Sequence, residues 1–241
     1  MQKSRIEWTD YSVNPIKGLC PVACSYCYAR KMYKRFHWDE NIRFEPEQAF
    51  VDAFNAPAGS KIFVGSTMEL FGDWVKSHNW LEQIMDWPKV MPNKTFIFLT
   101  KQPQNLPKVF PDNCWVGVSS TNNFTYLGDL KNVKAKVKFI SFEPLLSWDM
   151  GLIHQRETFH EILNKLGITW VIIGQQTPQN KKTMPKVEWI KDIVTACDKA
   201  EIPVFLKNNL KQSLPFDVAF REKDKDGISM SFLRQEMPKV K

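Results

Sequence analysis

In TFIFLTK (95–101) four large apolar residues, Phe96 to Leu99, stand consecutively between Thr95 and Thr100, with no polar alternation. A strand with one wet face would alternate, so this run reads as a strand covered on both faces, the habit of parallel sheets. Five further runs have the same character: KIFVGST (61–67), CWVGVSS (114–120), VKFISFE (137–143), TWVIIGQ (169–175) and IPVFLKN (202–208). Each ends in small or polar residues.

Helical patterns lie between them. In WLEQIMDWPKV (80–90), Leu81, Ile84 and Met85 share a face; in ETFHEILNKLG (157–167), Phe159, Ile162, Leu163 and Leu166 do, with Gly167 as the stop. In VEWIKDIVTACDKA (187–200) the stripe is Ile190, Ile193, Val194 and Cys197, which makes Cys197 a core residue rather than a ligand. Alternating strands and helices imply an α/β fold with right-handed crossovers. The expectation is a partial (β/α)6-type TIM barrel of parallel strands, with a seventh strand if Tyr11–Ile16 pairs as the first. The whole chain, 1–241, is expected to form one domain, with 211–241 as a peripheral C-terminal extension of weaker periodicity. In such folds chemistry collects at the C-terminal ends of the strands.

Composition narrows the class. Hydrophobic residues make up 43 % and charged residues 24 % of the 241, which excludes a disordered chain. The N-terminal stretch has no apolar signal-peptide core, and no run approaches the ~18 residues of a membrane span. The expectation is a cytoplasmic protein with no membrane partner. Lys and Arg number 33 against 26 Asp and Glu, a net charge of +7 and a pI near 9.1, which suits either a solvated basic surface or an anionic partner such as nucleic acid.

Three of the five cysteines crowd into CPVACSYCYAR (20–30), in the order Cys20-x3-Cys24-x2-Cys27. An odd cysteine count with such clustering suits metal ligation better than a disulfide framework. Structural zinc normally takes four protein ligands, and no second CxxC or HxxxH pair accompanies these three. His37, His78, His154 and His160 show no ligand pairing, and Cys114, at the start of an apolar run, reads as a small hydrophobe. Three thiolates suit a [4Fe–4S] cluster with one iron left without a protein ligand.

The motif CxxxCxΦC, with Φ aromatic, is the hallmark of the radical S-adenosylmethionine superfamily, and this sequence resembles it at every position, Tyr26 being Φ. The resemblance implies that Cys20, Cys24 and Cys27 hold three irons while S-adenosyl-L-methionine chelates the fourth. It further implies reductive cleavage to a 5′-deoxyadenosyl radical that abstracts hydrogen from a substrate, with a flavodoxin- or ferredoxin-type reductant as partner. A narrower likeness runs through IEWTDYSVNPIKGLC, CSYCYARKM, FVGSTMELF, FLTKQP, WVGVSS, FISFEPLL and WVIIG, with a weaker echo at VFLKNN. These segments are similar to a phage and bacterial radical-SAM-like family named after phage gene products.

The resemblance also distributes roles over the strand ends. Tyr26 would offer backbone atoms to adenine, its ring shaping the loop. Ser66 and Thr67 are placed to bind the methionyl ammonium, or else to cap a helix. Lys101 could meet a carboxylate, and Ser119, with Ser120, a ribose; ordinary loop and turn roles are the alternatives. Glu143 sits directly after an apolar strand, where an acid needs a partner, and could bind a ribose hydroxyl, a cationic part of the cofactor or a substrate donor. Family members often carry a Gly-Gly-Glu-like sequence where this chain has Gly174-Gln175-Gln176, so the acid is missing and Gln176 is left to hydrogen-bond. Lys207 is a candidate inward-facing cation or a solvated loop lysine. Asp10 could orient the first turn or cap the cysteine loop. Glu143, Lys207 and Gln176 are the candidate catalytic residues. Nucleic acid or a nucleotide is the substrate class to test first, photoproduct reversal and base modification being equally compatible. The competing readings are a non-catalytic metal-stabilised nucleic-acid-binding protein and an iron–sulfur protein serving electron transfer alone.

Overall fold

All six apolar runs form strands, and the Tyr11 segment adds a seventh to their sheet. In chain order come β1 (Tyr11–Val13), β2 (Ile16–Lys17), α1 (Tyr28–Phe36), β3 (Arg43–Phe44), α2 (Pro46–Asn55), β4 (Lys61–Val64), α3 (Asp73–Lys76), α4 (Trp80–Val90), β5 (Thr95–Thr100) and β6 (Cys114–Ser119). Then follow β7 (Val137–Phe142), α5 (Phe159–Leu166), β8 (Trp170–Ile173), α6 (Val187–Lys199), β9 (Val204–Leu206), α7 (Phe216–Ala219), β10 (Phe220–Lys225) and β11 (Ile228–Leu233). This computed structural model describes residues 3–76, 78–122, 124–149, 158–211, 213–225 and 228–240; His154 lies outside them.

The sheet order is β1-β4-β5-β6-β7-β8-β9. The pairs β1–β4, β4–β5, β5–β6, β7–β8 and β8–β9 are parallel. Sequential order in a parallel sheet with helical crossovers is the α/β topology of a partial TIM barrel, here with seven strands. The first strand is shorter than Tyr11–Ile16. It stops at Val13 because Pro15 brings no N–H to a ladder, and Ile16–Lys17 pair antiparallel with β3 instead.

The chain divides into two compact units, Met1–Val118 with Asn132–Lys136, and Ser119–Lys131 with Val137–Lys241. The first has a core of Ile62, Val64, Phe96, Phe98 and Val116 from its strands, packed with Phe71 and Phe110. Those phenylalanines meet in tilted or edge-on pairs with centroids 6.0–6.4 Å apart, the geometry that aromatic quadrupoles favour. Cys114 is fully buried in β6, as its apolar run implied. Asp10 joins the beginnings of β1 and β4: its Oδ2 accepts from the Lys61 N–H at 2.8 Å and meets Lys61 Nζ at 3.0 Å. It therefore anchors the N-terminal ends of these strands and does not cap the cysteine loop.

In the second unit Phe142, Trp148 and Phe159 pack edge-on, and the Trp148 indole donates to Asp192 at 2.8 Å. The capping box at Thr158 and Glu161 starts α5, and Gly167 at φ 65° ends it. Ile190, Ile193, Val194 and Cys197 form the buried face of α6. Beyond the β10–β11 hairpin, Gln235 bridges Phe205 and the Leu206 N–H donates to Arg234 O at 2.7 Å. Arg234 is 3 % exposed and holds Asp198 with two hydrogen bonds, so this segment covers the open edge of β9. Among the described residues no helix is long and apolar enough to cross a membrane.

Candidate functional site

The cysteine loop leaves the β2–β3 ribbon through Gly18, whose φ of 106° and approach to Asn41 leave no room for a side chain: a Cβ would lie 2.5 Å from Asn41 O. The Gly18 N–H donates to the Tyr33 hydroxyl at 2.8 Å, tying the start of the loop to α1, which follows its end. Turns at Ala23 (φ 54°) and Cys27 fold the loop, through Ala23 N–H to Cys20 O and Cys27 N–H to Cys24 O. The Arg30 guanidinium donates to Cys20 O at 2.8 Å. As a result Cys20, Cys24 and Cys27, all partly exposed and none in a disulfide, line one pocket with Leu19, Tyr33 and Thr67.

The thiols are held by neighbours as well as by the loop. Burial raises the Cys20 pKa; backbone N–H groups of Glu69 and Val22 oppose that by bonding its sulfur, while the Glu69 charge and Cys24 add to the rise. Burial also raises the Tyr26 pKa, and the nearby Cys24 and Cys27 add to the rise. Lys101 Nζ stands 5.5 Å from the centroid of the Tyr26 ring, a cation–π distance. Thus the aromatic residue of the motif lies near both the thiols and the cation that follows β5.

Glu69 is the residue that the sequence reading missed. It is 7 % exposed, and its carboxylate accepts from the Thr100 hydroxyl at 2.7 Å, the Lys101 N–H at 2.7 Å and the Phe71 N–H at 3.0 Å. Its own backbone N–H serves Cys20. The Lys101 peptide thus meets this carboxylate. The signal was present in STMELF: an acid among Met68, Leu70 and Phe71 must be partnered if buried, the argument applied to Glu143.

Ser66 and Thr67 lie in the turn after β4, and no helix begins there, so neither is a helix cap. Asn14, just past β1, holds both: its Oδ1 accepts from the Ser66 hydroxyl at 3.1 Å and the Thr67 N–H at 3.0 Å. The Tyr28 hydroxyl donates to Ser66 O at 2.6 Å, linking the first residue of α1 to the same turn. The structure therefore brings Cys20, Cys24, Cys27, Tyr26, Thr67 and Lys101 into connected surroundings. Among the described residues no three His, Cys, Asp or Glu side chains close around a single ion. Three soft thiols lining one pocket fit a group in which each sulfur takes its own iron.

In the second unit, Ser119 ends β6 half-buried, and the Ser120 N–H donates to Ser141 O at 3.0 Å. Glu143 and Lys207 meet in an ion pair, with side chains 24 % and 12 % exposed, so Lys207 is not a solvated loop lysine. The Glu143–Pro144 peptide is cis. Gln175 turns its amide to Asn209 O, and Gln176 follows, half-buried, beyond the strand end.

No curated protein matches. Solved structures that match include three variants of spore photoproduct lyase, one with dinucleoside spore photoproduct. Each is 14 % identical, has a TM-score of 0.48, and aligns over 97 % of this chain and 70–71 % of its own. A family model described as "Protein of unknown function (DUF5131)" matches residues 3–228. Spanning nearly the whole chain, that match places the protein in the DUF5131 family.

Proposed function

We propose that this protein is a radical S-adenosylmethionine enzyme. The observation that carries the reading is the three-thiol pocket: the three cysteines of CxxxCxΦC line one cavity with Thr67. Cys20, Cys24 and Cys27 would hold a [4Fe–4S] cluster, leaving one iron for the methionyl group of S-adenosyl-L-methionine. When bound, these cofactors supply an electron and a 5′-deoxyadenosyl radical able to abstract hydrogen.

The chain's own residues do the holding. Glu69 and Val22 present N–H groups to the Cys20 sulfur, the kind of outer contact that orients a ligand and tunes its electron density. Tyr26 stands beside Cys24 and Cys27, and Lys101 adds positive charge above the Tyr26 ring. Asn14 and Tyr28 fix the Ser66–Thr67 turn beside the thiols, where small polar groups suit a methionyl ammonium. The reductant would be a flavodoxin- or ferredoxin-type protein. With a net charge of +7, the substrate class we assign is nucleic acid or a nucleotide.

Anaerobic reconstitution with iron and sulfide, then dithionite and S-adenosyl-L-methionine, tests the proposal. The expected result is brown protein with about four irons per chain, as Cys-ligated cubane chemistry requires, and release of 5′-deoxyadenosine that Cys24→Ala abolishes. Tight zinc without sulfide and no 5′-deoxyadenosine would instead identify a metal-stabilised binding protein. Full turnover in the Cys24→Ala protein would refute the assignment.

A further inference from the structure

The helix that follows the cysteine loop turns two kinds of side chain outward. Lys31, Lys34 and Arg35 are exposed, share one face of α1 by their spacing, and have no carboxylate partner among the described residues. The helix itself contains no acid. Of the acids just beyond it, Asp39 and Glu45 are held by Arg43 at 3.2 and 2.6 Å, which leaves the exposed Glu40 against three cations. Phe36 and Trp38, 50 % and 44 % exposed, stack with centroids 5.4 Å apart, and the Arg35 guanidinium lies 5.3 Å from the Phe36 centroid. A helix C-terminus by itself favours Lys34 and Arg35. It gives no reason for two large adjoining rings to stay half in water beside them. The patch is contiguous with the thiol pocket: Arg30 and Tyr33 of the same helix line that pocket, and the buried Tyr33 ring meets Trp38 edge-on at 5.3 Å. Trp38 is thus one side chain away from the cavity that Cys20, Cys24 and Cys27 share.

We infer that this face of α1 is where the electron donor docks, and that the donor is a small acidic redox protein. The inference rests on the radical reading above and adds to it the place at which the electron enters and the residues that make that place. Charge fixes the sign of the partner: three unpaired cations on a helix without acids attract an acidic surface and speed its encounter. Trp, Phe and Arg side chains are the kind that become buried anchors when two proteins meet. A single nucleic-acid strand would also seek cations and rings, but it lays its bases on open ring faces. The Phe36 ring already has Trp38 stacked on it and Arg35 over it, so its exposed area suits an apolar protein surface better than a base. Position agrees, since a donor seated on Trp38 stands beside the pocket wall that Tyr33 forms. Each encounter moves one electron: the donor's redox group is oxidised by one, the group held by the three thiolates is reduced by one, and no bond forms or breaks.

Calorimetric titration of the protein as purified with oxidised flavodoxin, and separately with a plant-type ferredoxin, reads docking without need of a cluster. Stopped-flow mixing of the reconstituted protein with the same donors in reduced form, oxygen excluded, reads transfer. Lys31→Gln/Lys34→Gln/Arg35→Gln should weaken docking and slow transfer about tenfold or more at low salt, and flatten their dependence on ionic strength. Phe36→Ser should weaken docking and leave the salt dependence in place. Dithionite, which needs no docked complex, should give the same reduced-cluster EPR signal in every variant. Lys181→Gln/Lys182→Gln/Lys186→Gln removes the same charge from three exposed lysines between β8 and α6 and should behave as wild type. No binding of either donor to the wild type, equal loss in both triple variants, or undiminished docking in the α1 variant would overturn the inference. So would an α1 variant that loses binding to a single-stranded oligonucleotide while the donors dock as before, an outcome that makes this face a nucleic-acid surface. If a donor docks on α1 and the 5′-deoxyadenosine assay fails, the radical reading falls and the docking face remains.

Discussion

Replacing Glu69 by Gln removes one charge and one acceptor from a buried junction while changing almost no volume. The carboxylate receives three hydrogen bonds: Phe71 N–H and Thr100 OH on one oxygen, Lys101 N–H on the other. A Gln amide has a single oxygen. In its better orientation that oxygen keeps Phe71 and Thr100, and the NH2 then faces the Lys101 N–H, donor against donor. One buried N–H is orphaned, at a cost of roughly 1–3 kcal/mol, with the loss of charge assistance to the other two bonds in addition. For a chain of this size about 2 kcal/mol corresponds to a fall in Tm of roughly 4–8 °C. Glu69→Ala strands all three donors and should cost more, about 3–5 kcal/mol. Differential scanning calorimetry of the three proteins measures both. Because the turn bearing Glu69 also supplies the N–H to Cys20, iron content after reconstitution should fall in the same order. Wild-type and Glu69→Gln melts coinciding within about 1 °C would refute the reasoning, since that junction would then not be carrying three bonds to a buried charge.

Gly174→Ala should destabilise by about 1–3 kcal/mol through overcrowding of Lys207 and Glu143, seen as a lower denaturation midpoint with unchanged slope. Alkylation of the native protein followed by mass spectrometry should mark Cys20, Cys24 and Cys27 and spare Cys114 and Cys197. Burial pushes the Cys114 thiol up to about 12 and raises the Cys197 thiol likewise. For Asp10, burial works to raise the carboxyl pKa, but the hydrogen bonds and charge of Lys61 outweigh it and the net direction is down. A lowered folded pKa stabilises at pH above the ordinary carboxylate value, and the gain is lost as pH falls through the folded value. Asp10→Asn should therefore melt below wild type near neutral pH, with the gap closing in acid. Were the gap to widen in acid, Lys61 would not be the partner that matters.

Legible in the chain before folding are the features that one segment can express alone. Phe96 to Leu99 must be covered on both faces wherever the strand goes, so the parallel sheet was legible, as were the apolar stripe containing Cys197 and the stop at Gly167. The spacing of Cys20, Cys24 and Cys27 is local too, and one turn-rich loop brings them to one pocket. Tertiary structure decided the partners. Glu69 meets residues some thirty positions away at the end of β5, Asp10 meets Lys61 at the strand starts, and Glu143 reaches Lys207 only because β7, β8 and β9 align with Gly174 between them. Periodicity tells which face a side chain takes. Which charge faces it across a parallel sheet depends on the register of strands separated by whole helices, and no local pattern encodes that.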